Sequence, residues 1–93
     1  MSLLLKDPAA SLDYVVDWGA DWLAGDVLTA SNWSIDPAHV GGMSKVNDSF
    51  DLQTTRVQLA GGLSGVVYRA TNDITSSTGR QDSRSLVVRV GER

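Results

Sequence analysis

Apolar and polar residues alternate in three successive runs between residues 54 and 90 of this chain. The first run leads into the glycine-rich stretch Gly61–Gly65, and the turn Ser76–Gly79 separates the second run from the third. Period-two alternation, with turns about every ten residues, is typical of antiparallel sheets packed as a sandwich. The second half of the chain therefore predicts three half-buried strands.

The first half of the chain predicts four more strands. We place them at Leu3–Lys6, Leu12–Trp18, Val27–Ile35 and Met43–Phe50, and the polarity of the last one favours a sheet edge. In the third of these strands, Trp33 is assigned to the core face and Leu28 to the opposite face. Residues 19–26 are a turn or one helical turn. Residues 38–42 are a loop or a short edge strand.

These elements predict one all-β domain over residues 1–93, an immunoglobulin-like antiparallel β-sandwich of about seven strands. No segment offers the helical crossover that usually joins parallel neighbours, so all strand pairs are expected to be antiparallel. The predicted core residues come from the apolar faces of the strands. They are Tyr14, Val16, Trp18, Trp33, Val57, Leu59, Tyr68, Asn72, Leu86 and Val88.

Two polar members of this core have specific expected roles. Tyr68 begins a strand just after a turn. It is either a tyrosine corner that bonds to nearby backbone or a core residue whose hydroxyl reaches water. Asn72 lies on the inward face, where an amide has to be hydrogen-bonded, so we expect it to bridge the sandwich or fix strand register.

Composition supports strands and turns rather than helices. The acidic residues are ten aspartates and one glutamate, and seventeen residues are serine or threonine. The chain has no cysteine, which excludes disulfides and thiolate metal sites. No basic region precedes Leu3-Leu4-Leu5, so no secretory signal is expected, and no apolar run is long enough to cross a bilayer.

The net charge of −3 disfavours nonspecific binding to nucleic acid. The charge is uneven along the chain, because residues 1–51 carry two lysines and eight aspartates, whereas residues 52–93 carry six arginines and three acids. One interpretation is a module with two oppositely charged ends that stacks head to tail. The other is that the sandwich interleaves the two halves and removes the asymmetry.

Candidate chemistry is sparse. His39 is the only histidine, and the chain has no nucleophile elbow and no phosphate-binding glycine motif. Asp17, Asp21 and Asp26 flank one loop without the alternating ligand pattern of a calcium site. The sequence therefore predicts no catalytic residue, no metal site and no cofactor.

Short motifs run through most of the chain, from Lys6-Asp7-Pro8 through Ser11–Trp18 to the closing strand. Their most distinctive members are Trp18, Trp22, Trp33, Tyr68, Asn72, Gly79, Arg80 and Arg84. From Lys6 to Val90 the chain resembles small structural proteins of tailed bacteriophages and prophages, among them the fiber-tail adaptor proteins. The resemblance implies a non-enzymatic virion protein that makes protein–protein contacts in head, tail or fiber assembly.

The resemblance directs attention to side chains expected near turns. The candidate interface residues are Asp21, Trp22, Leu23, Arg80 and Arg84. Trp22 is either an interface anchor or a cap on the open end of the core. The expected partners are other virion proteins or a second copy of the chain, without nucleic acid, membrane or a small-molecule substrate. The expected location is the virion, or the bacterial cytoplasm during assembly.

A carbohydrate-binding or host-surface-binding sandwich is the alternative function. It needs an exposed aromatic ring beside polar side chains, and Trp22 with Asp21 and Asp26 is the candidate group.

Overall fold

A computed structural model describes residues 2–19, 22–38 and 40–91, with the side chains of residues 2 and 3 left out. These residues form seven strands and no helix. The strands are β1 (Ser2–Lys6), β2 (Ser11–Asp17), β3 (Leu28–Asp36), β4 (Ser44–Phe50), β5 (Thr54–Ala60), β6 (Val67–Ser76) and β7 (Gln81–Val90). The predicted all-β class is confirmed, and the four strands predicted in the first half begin and end within one residue of their predicted bounds.

Two sheets face each other across one core. One has the strand order β1-β7-β6-β3, and the other has the order β2-β5-β4. The order is compatible with an immunoglobulin-like sandwich, in which the second, fifth and fourth strands share a sheet. Each sheet combines strands from both halves of the chain, as the second interpretation of the uneven charge assumes.

One strand pair corrects the expectation of a wholly antiparallel fold. β1 runs parallel to β7, in register from Ser2 opposite Leu86 to Lys6 opposite Val90. All other pairs are antiparallel. A parallel pair needs a long connection, and here the whole domain provides it, because β1 and β7 are the first and last strands.

The assignment of Leu28 to the outer face is also wrong. The register of β3 with β6 shifts between Leu28 and Ala30. A shift of this kind adds a residue to one strand and turns the following side chains to the other face. Leu28 and Trp33 therefore both lie in the core, at 3% and 5% exposure.

Nine of the ten predicted core side chains are buried, and Tyr14 is half-buried at the border of the cluster. The tyrosine corner is confirmed, because the Leu63 N–H donates to the Tyr68 hydroxyl at 3.0 Å. The same turn requires glycine: Gly62 has φ +108°, and a Cβ there would lie 2.7 Å from Val90 Cγ2.

Asn72 is fully buried and uses all of its hydrogen-bonding capacity. Its Oδ1 accepts from Trp18 Nε1 at 3.0 Å and from Thr55 Oγ1 at 2.6 Å, both on the side of the β2-β5-β4 sheet. Its Nδ2 donates to Ser31 Oγ at 2.9 Å and to the Asn32 carbonyl at 3.3 Å, both in β3. The amide therefore bridges the two sheets.

At the opposite end of the sandwich, the buried Lys6 ammonium donates to the carbonyls of Asp7 and Gly61 at 2.9 and 2.8 Å. These bonds tie the end of β1 to the turn after β5. Burial lowers the pKa of Lys6, and the nearby Asp7 charge partly opposes that shift.

Trp18 and Trp33 provide a matched test of the buried bridge. Trp18 donates to Asn72, whereas the buried Trp33 Nε1 has no hydrogen-bond partner among the described residues. Both substitutions to Phe remove similar ring area, but only Trp18→Phe removes a hydrogen bond. We expect Trp18→Phe to lower the free energy of unfolding by about 1–3 kcal/mol more than Trp33→Phe does. Urea denaturation measures this difference, and equal costs would contradict the assigned role of Asn72.

Candidate functional site

Three connections meet at one end of the sandwich. They are residues 18–27 between β2 and β3, residues 51–53 between β4 and β5, and residues 77–80 between β6 and β7. We call this surface the loop end. Backbone hydrogen bonds join its parts, from Ser77 N–H to the Val27 carbonyl at 2.8 Å and from Leu28 N–H to the Leu52 carbonyl at 2.9 Å. The loops thus support one another.

For the segment after β2, residues 19–26, the sequence allowed either a turn or one helical turn. The N–H groups of Trp22 and Leu23 both donate to the Trp18 carbonyl at 3.1 Å. Such bonds close a single helical turn that does not continue. This turn brings Leu23 back into the core, where its side chain is 1% exposed. The structure therefore matches the expected alternative of one helical turn, and the choice of Leu23 as a candidate interface residue is wrong because its side chain is buried.

The Asp26 carboxylate organises the loop end. Its Oδ2 accepts from Thr78 Oγ1 at 2.6 Å, from Ser76 Oγ at 3.1 Å, and from Arg80 Nη2 and Nε at 2.9 and 3.1 Å. The hydrogen bond from Thr78 contributes most to lowering the pKa of Asp26, and the Arg80 and Ser76 bonds and the Arg80 charge add to it. The carboxylate therefore joins the first loop to the third.

Arg80 covers the half-buried Trp22 from the solvent side. Its guanidinium carbon lies 4.4 Å from the centre of the Trp22 ring, a cation–π distance. Its Nη2 also donates to the Leu23 carbonyl at 2.7 Å and to the Trp22 carbonyl at 3.3 Å. Arg80 thus binds Asp26, two carbonyl oxygens and an indole ring together, a geometry that the flat, multidentate guanidinium suits.

The indole of Trp18 lies beneath this layer. Its ring meets the Trp22 ring edge to face, with centroids 5.6 Å apart and planes at 73°. The Arg84 guanidinium lies 4.4 Å from the Trp18 ring centre. Trp22 packs against the core cluster, so its position corresponds to the cap on the open end of the core. Aromatic and guanidinium groups thus form one packed layer at this end.

The structure therefore brings four of the five candidate interface residues together, with Leu23 below the surface. The fifth, Asp21, lies outside the described residues, as does His39. Sequence reasoning missed Asp26 as the organiser, because its partners Ser76, Thr78 and Arg80 lie about fifty residues away along the chain. It also missed Leu52, whose side chain is 63% exposed beside Val27.

In this geometry two members of the candidate carbohydrate group, Trp22 and Asp26, already have other partners. The Arg80 guanidinium occupies one face of Trp22, and Asp26 Oδ2 already accepts four hydrogen bonds. A sugar ring would need an open aromatic face and free polar partners. In the part of the chain that the structure describes, no three His, Cys, Asp or Glu side chains are grouped to hold a metal ion. No helix among the same residues is long and apolar enough to cross a membrane.

Comparison with known proteins finds one family. The sequence profile described as the podophage GP4 fiber-tail adaptor protein gp77 matches residues 6–89. The match therefore runs from the last residue of β1 to the residue before the end of β7 and includes β2 to β6 in full. No curated protein matches the chain.

The lowered pKa of Asp26 predicts that the stability of the protein depends on pH. This pKa is lowered from 3.8 by folding, so the contribution of Asp26 to stability is complete above that value and is lost as the pH falls through the lower folded pKa. We expect Asp26→Asn to destabilise the protein at pH 6 and to reduce the stability lost between pH 6 and pH 2. Urea denaturation at a series of pH values measures this loss.

The matched control is Asp17→Asn, which changes an exposed carboxyl that has no hydrogen bond among the described residues. This variant should lose as much stability on acidification as the parent chain. A residual loss is expected in Asp26→Asn, because backbone N–H groups of Gln53 and Thr54 lower the pKa of Asp51. An unchanged loss in Asp26→Asn would contradict the assigned network.

Proposed function

This chain belongs to the podophage GP4 fiber-tail adaptor family, and on this premise we propose that it is a non-enzymatic structural protein of the phage virion. In this role it connects tail and fiber components through protein–protein contacts. The observation that carries the proposal is the family match over residues 6–89. The match includes β2 to β6 in full and nearly all of β7, which supports the proposal that the sandwich acts as one unit.

The loop end supports this proposal as a contact surface. A connector has to transmit position from one partner to the next, and a stiff surface loses little conformational freedom on binding. The bonds of Asp26 and Arg80 and the stacking of Trp22 provide such stiffness. Arg80 remains 44% exposed in its side chain, so it can also meet a partner.

Exposed apolar side chains add a second element at the same end. Leu52 is 63% exposed and Phe50, at the end of β4, is 44% exposed. Leu52 lines a shallow depression with Val27, Asp51, Gln53 and Thr54. An apolar side chain surrounded by polar neighbours is typical of the centre of a protein–protein interface. We therefore propose Leu52 and Arg80 as the contact group, with a partner that is another virion protein.

Complementation of assembly tests the function. The gene is deleted from a phage that carries it. Particles of the deletion mutant are then imaged by electron cryomicroscopy with and without added purified protein. We expect particles made without the protein to lack fibers and to regain them on addition. Particles that carry a full set of fibers without the protein would contradict the adaptor role.

Two surface variants test the contact group in the same assay. Leu52→Asp places a charge on the depression, and we expect it to weaken fiber attachment by about tenfold or more. Val46→Asp is the control, because Val46 is 59% exposed on the register shift of β4, outside the loop end. Equal activity of both variants would remove the loop end as the contact surface while leaving the adaptor role intact.

A further inference from the structure

β2 is an edge strand whose protection against additional strands consists of two exposed aspartates. Its seven residues pair with β5 in one uninterrupted register, from Ser11 opposite Ala60 to Asp17 opposite Thr54. The other outer strands differ: β3 and β4 contain register shifts, and β1 is only five residues long. Natural sheets protect their edges by bulges, short strands, proline or charged side chains, and of these β2 has only the charges of Asp13 and Asp17.

The hydrogen-bonding direction of β2 follows from its first neighbour. Trp18 N–H donates to the Gln53 carbonyl, toward β5. In an antiparallel pair, alternate residues direct both backbone groups to the partner and the residues between them direct both groups away. The N–H and C=O groups of Ser11, Asp13, Val15 and Asp17 therefore face the open edge. They can pair with one further strand.

The side chains of β2 indicate which residue types a strand paired with its open edge would carry. Asp13, Val15 and Asp17 are exposed on the outer face, with Val15 at 47%. Neither aspartate has an ion pair or hydrogen bond among the described residues. On the inner face, Leu12 and Tyr14 are half-buried at the border of the core. A complementary strand has cationic side chains on the outer face and apolar side chains on the inner face.

A second copy of this chain is a poor occupant of the edge. Antiparallel pairing of two β2 strands over their full length, about Tyr14, places Asp13 of each copy opposite Val15 and diagonal to Asp13 and Asp17 of the other copy, on the same face. A pair shifted to centre on Val15 places Asp13 directly opposite Asp17. Like charges directly opposite each other destabilise a strand pair. The alternation of acidic side chains thus disfavours self-pairing and favours a basic segment from a different protein.

We propose that β2 receives an extended segment of another tail protein along its open edge. The segment carries Lys or Arg at two outer-face positions four residues apart, opposite Asp13 and Asp17, and apolar residues on its inner face. Backbone hydrogen bonds supply attachment and the side chains supply selectivity. This inference rests on the proposed adaptor function, because it identifies the chemistry of one partner.

Two synthetic peptides of about nine residues test the proposal. Both have valine at the inner-face positions, and they carry either lysine or glutamate at the two charged positions. Each is added, up to about 1 mM, to the isotope-labelled full chain, and amide signals are followed by NMR. We expect the lysine peptide to bind about tenfold or more tightly than the glutamate peptide. Hydrogen exchange should slow at the amides of Ser11, Asp13, Val15 and Asp17.

Variants of β2 separate backbone pairing from charge attraction. Val15→Pro removes an N–H that faces the open edge and none that faces β5, so we expect loss of peptide binding. Val15→Thr keeps the N–H and is the matched control. The double variant Asp13→Lys with Asp17→Lys changes only exposed side chains, and we expect it to prefer the glutamate peptide. This double variant keeps the test decisive if Val15→Pro fails to fold.

Three results would overturn the proposal: no change at β2 amides at the highest peptide concentration, equal affinity for both peptides, or binding that maps to another strand. Failure of the adaptor function is recognised separately, since it appears as fibers on particles that lack the protein. If fiber attachment depends on the protein but β2 binds neither peptide, the adaptor function stands and only the proposal for the β2 edge is rejected.

Discussion

The fold depends on one buried amide. Asn72 has two acceptor positions and two donor hydrogens, and all four are used, on Trp18 and Thr55 on one side and on Ser31 and Asn32 on the other. An unpaired buried polar group costs about 1–3 kcal/mol, so a shift of one sheet past the other would break several bonds at once. The amide therefore fixes both the distance and the register between the sheets. It also holds the indole of Trp18, on which Trp22 and Arg84 pack.

In this arrangement the polar groups that join distant elements stabilise the fold, and the proposed contact groups lie at the surface. In the described part of the chain, the polar groups of Asn72, Lys6 and Asp26 each join elements that are distant in sequence. Leu52, Arg80 and the open edge of β2 remain at the surface. A stiff body with exposed contact groups is the physical form that suits an adaptor.

Local pattern in the sequence predicts most of the fold. Alternation located the strands, the turn before Tyr68 predicted its corner, and the inward position of Asn72 required hydrogen bonds. The errors arise where the outcome depends on distant residues or on one added residue. A register shift moved Leu28 to the core, and a helical turn buried Leu23. The pairing of β1 with β7 and the partners of Asp26 connect the two ends of the chain, and no local pattern contains that information.

Amide hydrogen exchange of the chain, free and assembled into tails, tests most directly whether this is a rigid body that binds by its surface. The account predicts equally slow exchange in both states for the amides of β3 and β6 around Asn72. It predicts new protection only at the open edge of β2 and at the loop end. Slower exchange throughout the core on assembly would contradict it, because the domain would then complete its folding on the partner. No new protection at either surface would equally contradict it.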